Sequence, residues 1–337
     1  MKKLLNVKRL AGTIAIAATA ALLGTAPVSA QDVTLRVTLQ LPLKSHLGQN
    51  LLLFKEEVEK LSGGDIAVEI YDSAQLYKDK EVPEAVGSGQ IEMGVASLTR
   101  YVGEIPAVDV FYMPFLLNTE EKVRAAVAPG SGVRTLIDGA IAETGSKVLW
   151  WQAYGTVILL SNGEPVATPA AMEGKKARVF GKTLGDWVQT VGGAPTLISG
   201  SEQFLAYQRG TVDIGMTGVS GVQSRSLWDV MDTITKVNVA DIEFIVVINE
   251  DYWEGLTEQQ QMWINEAALR AEKDVRDRVS DIEAAAYVEA KQNGMNVYEL
   301  SEKEVESWKT ASQPVIENWL SSAGELGKKV YDAARQL

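Results

Sequence analysis

The residues able to do covalent or acid-base chemistry are few and poorly arranged for it. Gly218-Val219-Ser220-Gly221-Val222 approaches the Gly-x-Ser-x-Gly turn that exposes a nucleophilic serine, but its last position is Val and no His follows it in the chain. His46 is the single histidine, so any Ser-His-Asp relay would have to use it, and a His-rich metal site is excluded. None of the 337 residues is cysteine, which removes thiolate chemistry, disulfides and Cys-ligated zinc or iron-sulfur. Gly87-Ser88-Gly89 and Gly130-Ser131-Gly132 begin a phosphate-cradling pattern without its third glycine, and no Gly-Lys-Ser/Thr loop occurs. The acidic groups Glu56-Glu57-Glu59 and Asp274, Asp277 and Asp281 alternate with Lys and Arg at helical spacing, the mark of solvated faces. A facing carboxylate pair of glycosidase type is not visible in linear spacing. The chain is therefore expected to be no enzyme and to need no cofactor and no metal.

One residue is suited to holding a molecule rather than transforming it. Arg178 lies between Ala177 and Val179 in an apolar, strand-like stretch. An unpaired buried charge is costly, so such an arginine needs a partner, and its planar fork suits a carboxylate bidentately as lysine does not. Two partners fit equally from the residues alone: an internal Asp or Glu, or the carboxylate of a ligand.

Elements that could position it follow from periodicity. Val33 to Leu39 alternates as a strand, Leu47 to Leu61 repeats at helical spacing and stops at Ser62-Gly63-Gly64, and Ile66 to Tyr71 is a second strand. A helix over Lys80 to Ser88 and a strand over Ile91 to Ala96 follow. After a strand at Lys147 to Trp151 the alternation returns: strand Lys176 to Phe180, helix Thr183 to Val191, strand Ala194 to Leu197, helix Glu202 to Arg209, strand Val212 to Met216. This predicts an α/β protein with mostly parallel sheets in two lobes joined by short crossing strands. Thr257 with Gln260 forms a capping box opening a helix that runs to Asn293-Gly294, long enough to brace both lobes, and Ser301 with Glu304 opens the terminal helices. The expected division is residues 31–153 with about 244–286 in lobe I and 154–243 with about 287–337 in lobe II.

The first thirty residues read as a separate object. Lys2, Lys3, Lys8 and Arg9 precede an apolar stretch from Leu10 to Leu23, and Val28-Ser29-Ala30 supplies small residues for cleavage after Ala30. A signal peptide over 1–30 implies export to the periplasm, with no stable membrane insertion once it is removed. The net charge of -12 comes from 32 Lys+Arg against 44 Asp+Glu; without the four leader cations it becomes 28 - 44 = -16. That acidity argues against nucleic acid as a partner.

At Met172-Glu173-Gly174-Lys175-Lys176-Ala177-Arg178-Val179 the chain resembles the solute-binding proteins of tripartite ATP-independent periplasmic (TRAP) transporters, whose Leu-Lys-Gly-Leu-Lys-Ile-Arg-Val stretch carries a carboxylate-binding arginine. Further matches in order are Gly63-Gly64, Ser73-Ala74-Gln75-Leu76, Gly89 to Met93, Met113-Pro114-Phe115, Ser161-Asn162 with Pro165, Pro195, Ser201-Glu202 and Gly210-Thr211-Val212-Asp213. The resemblance implies a two-lobed periplasmic binding protein fold, type II-like. Its function would be capture of a small carboxylate between the lobes and delivery to the TRAP membrane subunits. It assigns Arg178 to the ligand and sets Gln40, His46 with the neighbouring Ser45, Ser97 and Arg100 at the pocket. Trp150, Trp151, Tyr154, Phe180 and Met216 lie near the same cleft by chain position. The chain departs from the sialic-acid-binding branch where Val157 replaces a second arginine, Gly200 a phenylalanine and Thr217 an asparagine. These losses of polar contact imply a monocarboxylate whose body is aromatic or more apolar than a polyhydroxylated sugar acid, with 2-oxo, hydroxy or sugar acids as alternatives. An ABC-type periplasmic receptor, or a secreted hydrolase or lyase built on acidic residues, are the competing readings.

Overall fold

A computed structural model describes residues 33–337; the signal-peptide expectation lies outside them. The chain opens with β1 (Val33–Thr38), α1 (His46–Leu61), β2 (Ile66–Tyr71), α2 (Val82–Gly87) and β3 (Met93–Ser97). Ser45 caps α1 by accepting from the Gly48 amide, and the helix ends where Gly63 and Gly64 take φ of 62° and 91°, conformations that cost L-residues with side chains. Tight turns over 98–101 and 106–112 lead to α3 (Glu120–Val127), α4 (Gly132–Ala142) and β4 (Ser146–Thr156). The second half builds β5 (Ile158–Ser161), β6 (Lys176–Val179), α5 (Lys182–Thr190), β7 (Ala194–Leu197), α6 (Gln203–Gln208), β8 (Gly215–Thr217) and α7 (Val219–Ser224). Then come β9 (Thr233–Lys236), β10 (Asp241–Asn249), α8 (Glu250–Glu254), α9 (Glu258–Gln292), β11 (Asn296–Glu299), α10 (Glu302–Ser322) and α11 (Gly324–Ala334).

Two main sheets result. The first runs β2-β1-β3-β10-β4 and the second β11-β9-β5-β8, while β6 and β7 form a parallel pair tied to the second by a bridge from Ala177 to Ile214. The expected mostly parallel pairing holds only for β1 with β2 and β3, β6 with β7, and β9 with β11. Both sheets are mixed. The chain passes between them three times, twice through short strand links and once along α9, and the strand links must return: β10 pairs antiparallel with β3 and β4, and β5 antiparallel with β8 and β9.

The strand links fall at Val157 and at residues 237–240, where the Val157 amide donates to Ala240 O and the Asn238 amide to Val157 O. The chain thus leaves the first sheet at Thr156 and re-enters it at Asp241, rather than at the expected 153/154 and 243/244 divisions. The last helix also departs from expectation. Placed with lobe II from the sequence, α11 packs instead on α4 and the 106–112 turn, burying Val330 and Ala334 against the first-sheet side.

α9 extends over 35 residues, about 50 Å at the helical rise, and Thr257 closes its capping box with Gln260 as expected. Its small residues Ala267, Ala268 and Ala271 let it approach α1 closely, and Asn50 donates to Ala271 O at 2.6 Å. Farther along, Ala286 and Ala290 join the second apolar cluster with Ile158, Leu160 and Ile234. The helix therefore spans both cores. None of the helices among the described residues is long and apolar enough to cross a membrane.

Candidate functional site

The loops leaving the carboxyl ends of β1, β3, β6, β7 and β8 converge, as is usual where open α/β sheets bind ligands. With β4 and β10 they form a narrow, partly open cleft lined by Gln40, Asp79, Ser97, Arg100, Tyr154, Arg178, Phe180, Gly200, Thr217, Arg225, Ile242 and Phe244. Seven of the nine residues expected at the site are therefore brought together.

Arg178 sits at the end of β6 and is 3 % exposed. Its Nε donates to Ile198 O at 3.0 Å, its Nη1 donates to Met216 O, and the guanidinium lies 5.2 Å from the Phe180 ring centroid. No carboxylate is paired with it among the described residues, so the internal ion pair left open by the sequence is not formed. Burial, with repulsion from Arg225 and Arg100, holds its pKa down at about 10. The site thus contains a desolvated cation whose neighbours satisfy hydrogen bonds but supply no counter-charge.

The opposite wall differs. Arg100 is bound by Asp79, whose Oδ2 lies 2.5 Å from Nε, and Asp79 also accepts from the Ser97 amide at 2.8 Å and the Ser97 hydroxyl at 2.9 Å. Arg100 is thus a neutralised part of the first-sheet wall, and the Ser97 hydroxyl proton is already committed. Gln40 reaches across: its Oε1 accepts from the Ser199 hydroxyl at 3.3 Å.

Tyr154 enters through a defect in the sheet. Ile242 pairs with Gly155 but Glu243 pairs with Ala153, leaving Tyr154 as the extra residue of a β-bulge. A bulge re-aims one side chain without ending the strand. Gly155 adopts φ 107°, and a Cβ there would strike Glu283, which accepts from the Thr156 amide at 2.9 Å. Tyr154 packs on Phe244 at 5.2 Å between ring centroids, and Phe180 meets Tyr112 edge-on at 5.9 Å. One side of the cavity is consequently aromatic and apolar.

Two expected site residues are elsewhere. His46 begins α1 and its Nε2 donates to Ala153 O at 3.1 Å, with its ring 5.2 Å from that of Tyr154; it supports Tyr154 from behind. Burial lowers its pKa to about 4, with nearby Arg278 and Arg225 adding to the effect. Trp151 is fully buried, packs 5.3 Å from Phe111 and donates its indole N–H to Asp138 at 2.9 Å. Side chains alternate along β4, so the face that carries Trp151 toward α4 cannot be the one that carries Trp150 toward α1.

Four lining residues carried no sequence signal: Asp79, Arg225, Ile242 and Phe244. Gly200 had been noted only as a departure. Arg225 follows α7 between two serines, and nothing in its local pattern points to a cavity 47 residues from Arg178.

The two sides are also latched outside the cavity. Buried Asp109 accepts from the Thr99 hydroxyl at 2.9 Å and, across the cleft, from the Thr183 hydroxyl at 2.6 Å and amide at 3.2 Å. Lys78 and Glu202 form an exposed ion pair at 2.8 Å, and a Cβ on Gly181 would collide with Thr99. These contacts describe a closed cleft.

A family model described as bacterial extracellular solute-binding protein, family 7, matches residues 39–322. The C4-dicarboxylate-binding periplasmic protein DctP of Rhodobacter capsulatus is 24 % identical over 322 residues, covering 94 % of this chain and 95 % of its own. A Bordetella pertussis extracytoplasmic solute receptor binding pyroglutamic acid superposes with a TM-score of 0.85 at 19 % identity, covering 90 % of this chain and 99 % of that one. A TRAP periplasmic solute binding protein from a Sulfitobacter species, with bound β-D-galacturonate, gives a TM-score of 0.84 at 21 % identity, covering 90 % and 100 %.

Proposed function

Because the chain belongs to the family 7 bacterial extracellular solute-binding proteins, a two-lobed family of TRAP receptors rather than enzymes, we propose that it captures a small organic acid by closing on its carboxylate at Arg178. The observation that carries this reading is a buried guanidinium without a carboxylate partner inside the interlobe cavity. A ligand carboxylate supplies the missing counter-charge, and the fork of Arg178 binds it through charge-assisted hydrogen bonds. Its body then lies along Phe180, Tyr154, Ile242 and Phe244, which suits an apolar or aromatic skeleton better than a polyhydroxylated sugar acid. A single carboxylate satisfies Arg178 and leaves Arg225 without a counter-charge.

Capture is by closure. The acid meets Arg178 on the side of the second sheet, the lobes turn about Val157 and residues 237–240, and the Asp109 to Thr183 and Ser199 to Gln40 bonds form as water is expelled. The lobes move as units on the two sheets, with α9 lying along both. The closed form is the one delivered to the TRAP membrane subunits, in the periplasm to which residues 1–30 direct the chain.

A thermal-shift panel of aromatic, 2-oxo, hydroxy and sugar acids tests the reading, since a ligand of the native state raises its melting temperature. Stabilisation by apolar-bodied acids is expected; a response to sugar acids alone would sink the skeleton assignment. If no carboxylate stabilises the protein, the carboxylate reading itself fails.

A further inference from the structure

Arg225 is a second cation in the same cavity, and it too lacks a carboxylate among the described residues. Its Nη2 donates to the Tyr154 hydroxyl at 3.0 Å and to the Thr217 hydroxyl at 3.2 Å, while its Nε is buried with no partner. Both hydroxyls accept from the guanidinium, so each keeps its own proton to donate. Three donors therefore converge: the free edge of Arg225, the Tyr154 O–H and the Thr217 O–H.

The local backbone makes room for this cluster. A Cβ on Gly221 would fall against Arg225 Nη2, against the Tyr154 hydroxyl at 2.5 Å and against Thr217 Oγ1 at 2.7 Å. A Cβ on Gly200 would come within 3.1 Å of Arg225 Nη1 and 3.0 Å of Gln40 Oε1. Two glycines on separate elements thus clear the space in which the guanidinium folds back from the end of α7. The bulge that turns Tyr154 inward serves the same point. A surface arginine would need none of these.

We propose that Arg225, with Tyr154 and Thr217, forms a second anion-recognising subsite that binds an acceptor oxygen at the other end of the acid held by Arg178, and so determines specificity. The ligand class is a short acid with a carboxylate at one end and a carboxylate or carbonyl oxygen at the other. Charge supports the assignment: Asp79 neutralises Arg100, leaving two guanidiniums without a carboxylate in the same narrow cleft among the described residues. This inference rests on the carboxylate reading of Arg178 and adds the second contact.

Matched acids of three to six carbons test it by calorimetry: a monoacid, an oxo acid and a diacid of each length, titrated into wild type, Arg225→Met and Arg225→Lys. The wild type is expected to prefer the acids with a second acceptor. Arg225→Met should weaken those by at least about 30-fold while the matched monoacids change less than about threefold, with Arg225→Lys restoring part of the diacid affinity. A diacid-only loss assigns a charged second terminus, and an equal loss of oxo acids a carbonyl one. The subsite is refuted if wild type binds monoacids as tightly as their two-acceptor partners, or if Arg225→Met weakens both alike, as removal of a strut under Tyr154 would. Failure of the carboxylate reading looks different: no acid binds wild type, or Arg178→Met binds as well as wild type.

Discussion

Arg276 and Arg178 are buried to the same degree, 5 % and 3 % exposed, yet they live in opposite electrostatic surroundings. Beneath α9, Arg276 grips Glu243 of β10 through two bonds of 2.7 Å, and Arg134 likewise holds Glu272 with Asp138 beside it. In the cleft, Arg178 and Arg225 donate only to backbone carbonyls and hydroxyls among the described residues. Arginines that fasten the brace to the first sheet bring their counter-charge with them. Those in the cavity have no carboxylate partner among the described residues, and on the reading proposed above that contrast is what distinguishes a binding cation from a structural one.

The comparison breaks most visibly at the paired site. Arg276→Met strands Glu243, which is fully buried in the sheet and must then protonate or tear the packing open. A loss of about 3–5 kcal/mol in folding stability is expected from urea unfolding. The double variant Arg276→Met with Glu243→Leu should recover most of it, because removing both charges also removes their desolvation. If the single variant is as stable as wild type, the pair is not the fastener described.

Arg178→Met should show the reverse signature. Acid binding should weaken by about 2–5 kcal/mol in calorimetry. The ligand-free protein, by contrast, should unfold no earlier than wild type by more than about 1 kcal/mol, since the loss of two charge-assisted bonds to carbonyls is offset by removing a desolvated cation whose pKa is held down at about 10. A large drop in apo stability would make Arg178 a structural residue.

Much of this is legible in the sequence alone. The capping boxes at Thr257 and Ser301, the Gly63-Gly64 stop and the strand Ile66–Tyr71 fall where pattern and turn chemistry put them, because those signals are local. What was missed depends on partners far along the chain. β10 is buried over its whole length and has no alternation to betray it, and its antiparallel pairing with β4 joins segments about ninety residues apart. The bulge at Tyr154 exists only once that pairing is made. Trp151 shared the cleft's neighbourhood in sequence but points to the other face, and His46 is displaced by one side chain, lying behind Tyr154 instead of lining the cavity. Arg225 carries no local signal, since its placement in the cavity depends on space left by Gly200 and Gly221.

His46 allows the division around Tyr154 to be sharpened by pH. Its imidazole is held neutral, with a folded pKa of about 4 against 6.5 when exposed, by burial and by the facing Arg278 and Arg225, while its bond to Ala153 O acts the other way. The folded-state pKa is depressed, so its contribution is full above about pH 6.5 and is lost as pH falls toward 4, where the unfolded chain takes up a proton that the fold refuses. Asp109, Asp241 and Glu243 have raised pKa values and slope oppositely, so total stability does not isolate the effect. The difference between wild type and His46→Gln does. It should shift by about 3 kcal/mol in favour of the variant between pH 7 and 4. Parallel curves would mean that His46 is solvated and does not back Tyr154.

The smallest effect belongs to the cleft's outer latch. Lys78 and Glu202 are the exposed counterpart of the buried pairs under α9, with side chains 41 % and 50 % accessible. Such a pair is screened by salt and costs the order of two long side chains, so it adds little to closure beyond the buried Asp109, Thr99 and Thr183 contacts. Lys78→Met should weaken acid binding by less than about threefold at low salt, and the two proteins should become indistinguishable in 1 M salt. Asp109→Asn, which keeps the shape but removes the charge that both threonines and the α5 amide address, should weaken binding more and without that salt dependence. Were the order reversed, closure would be driven by the rim, and the depth at which a charge is paired would not be what separates fastening from binding in this protein.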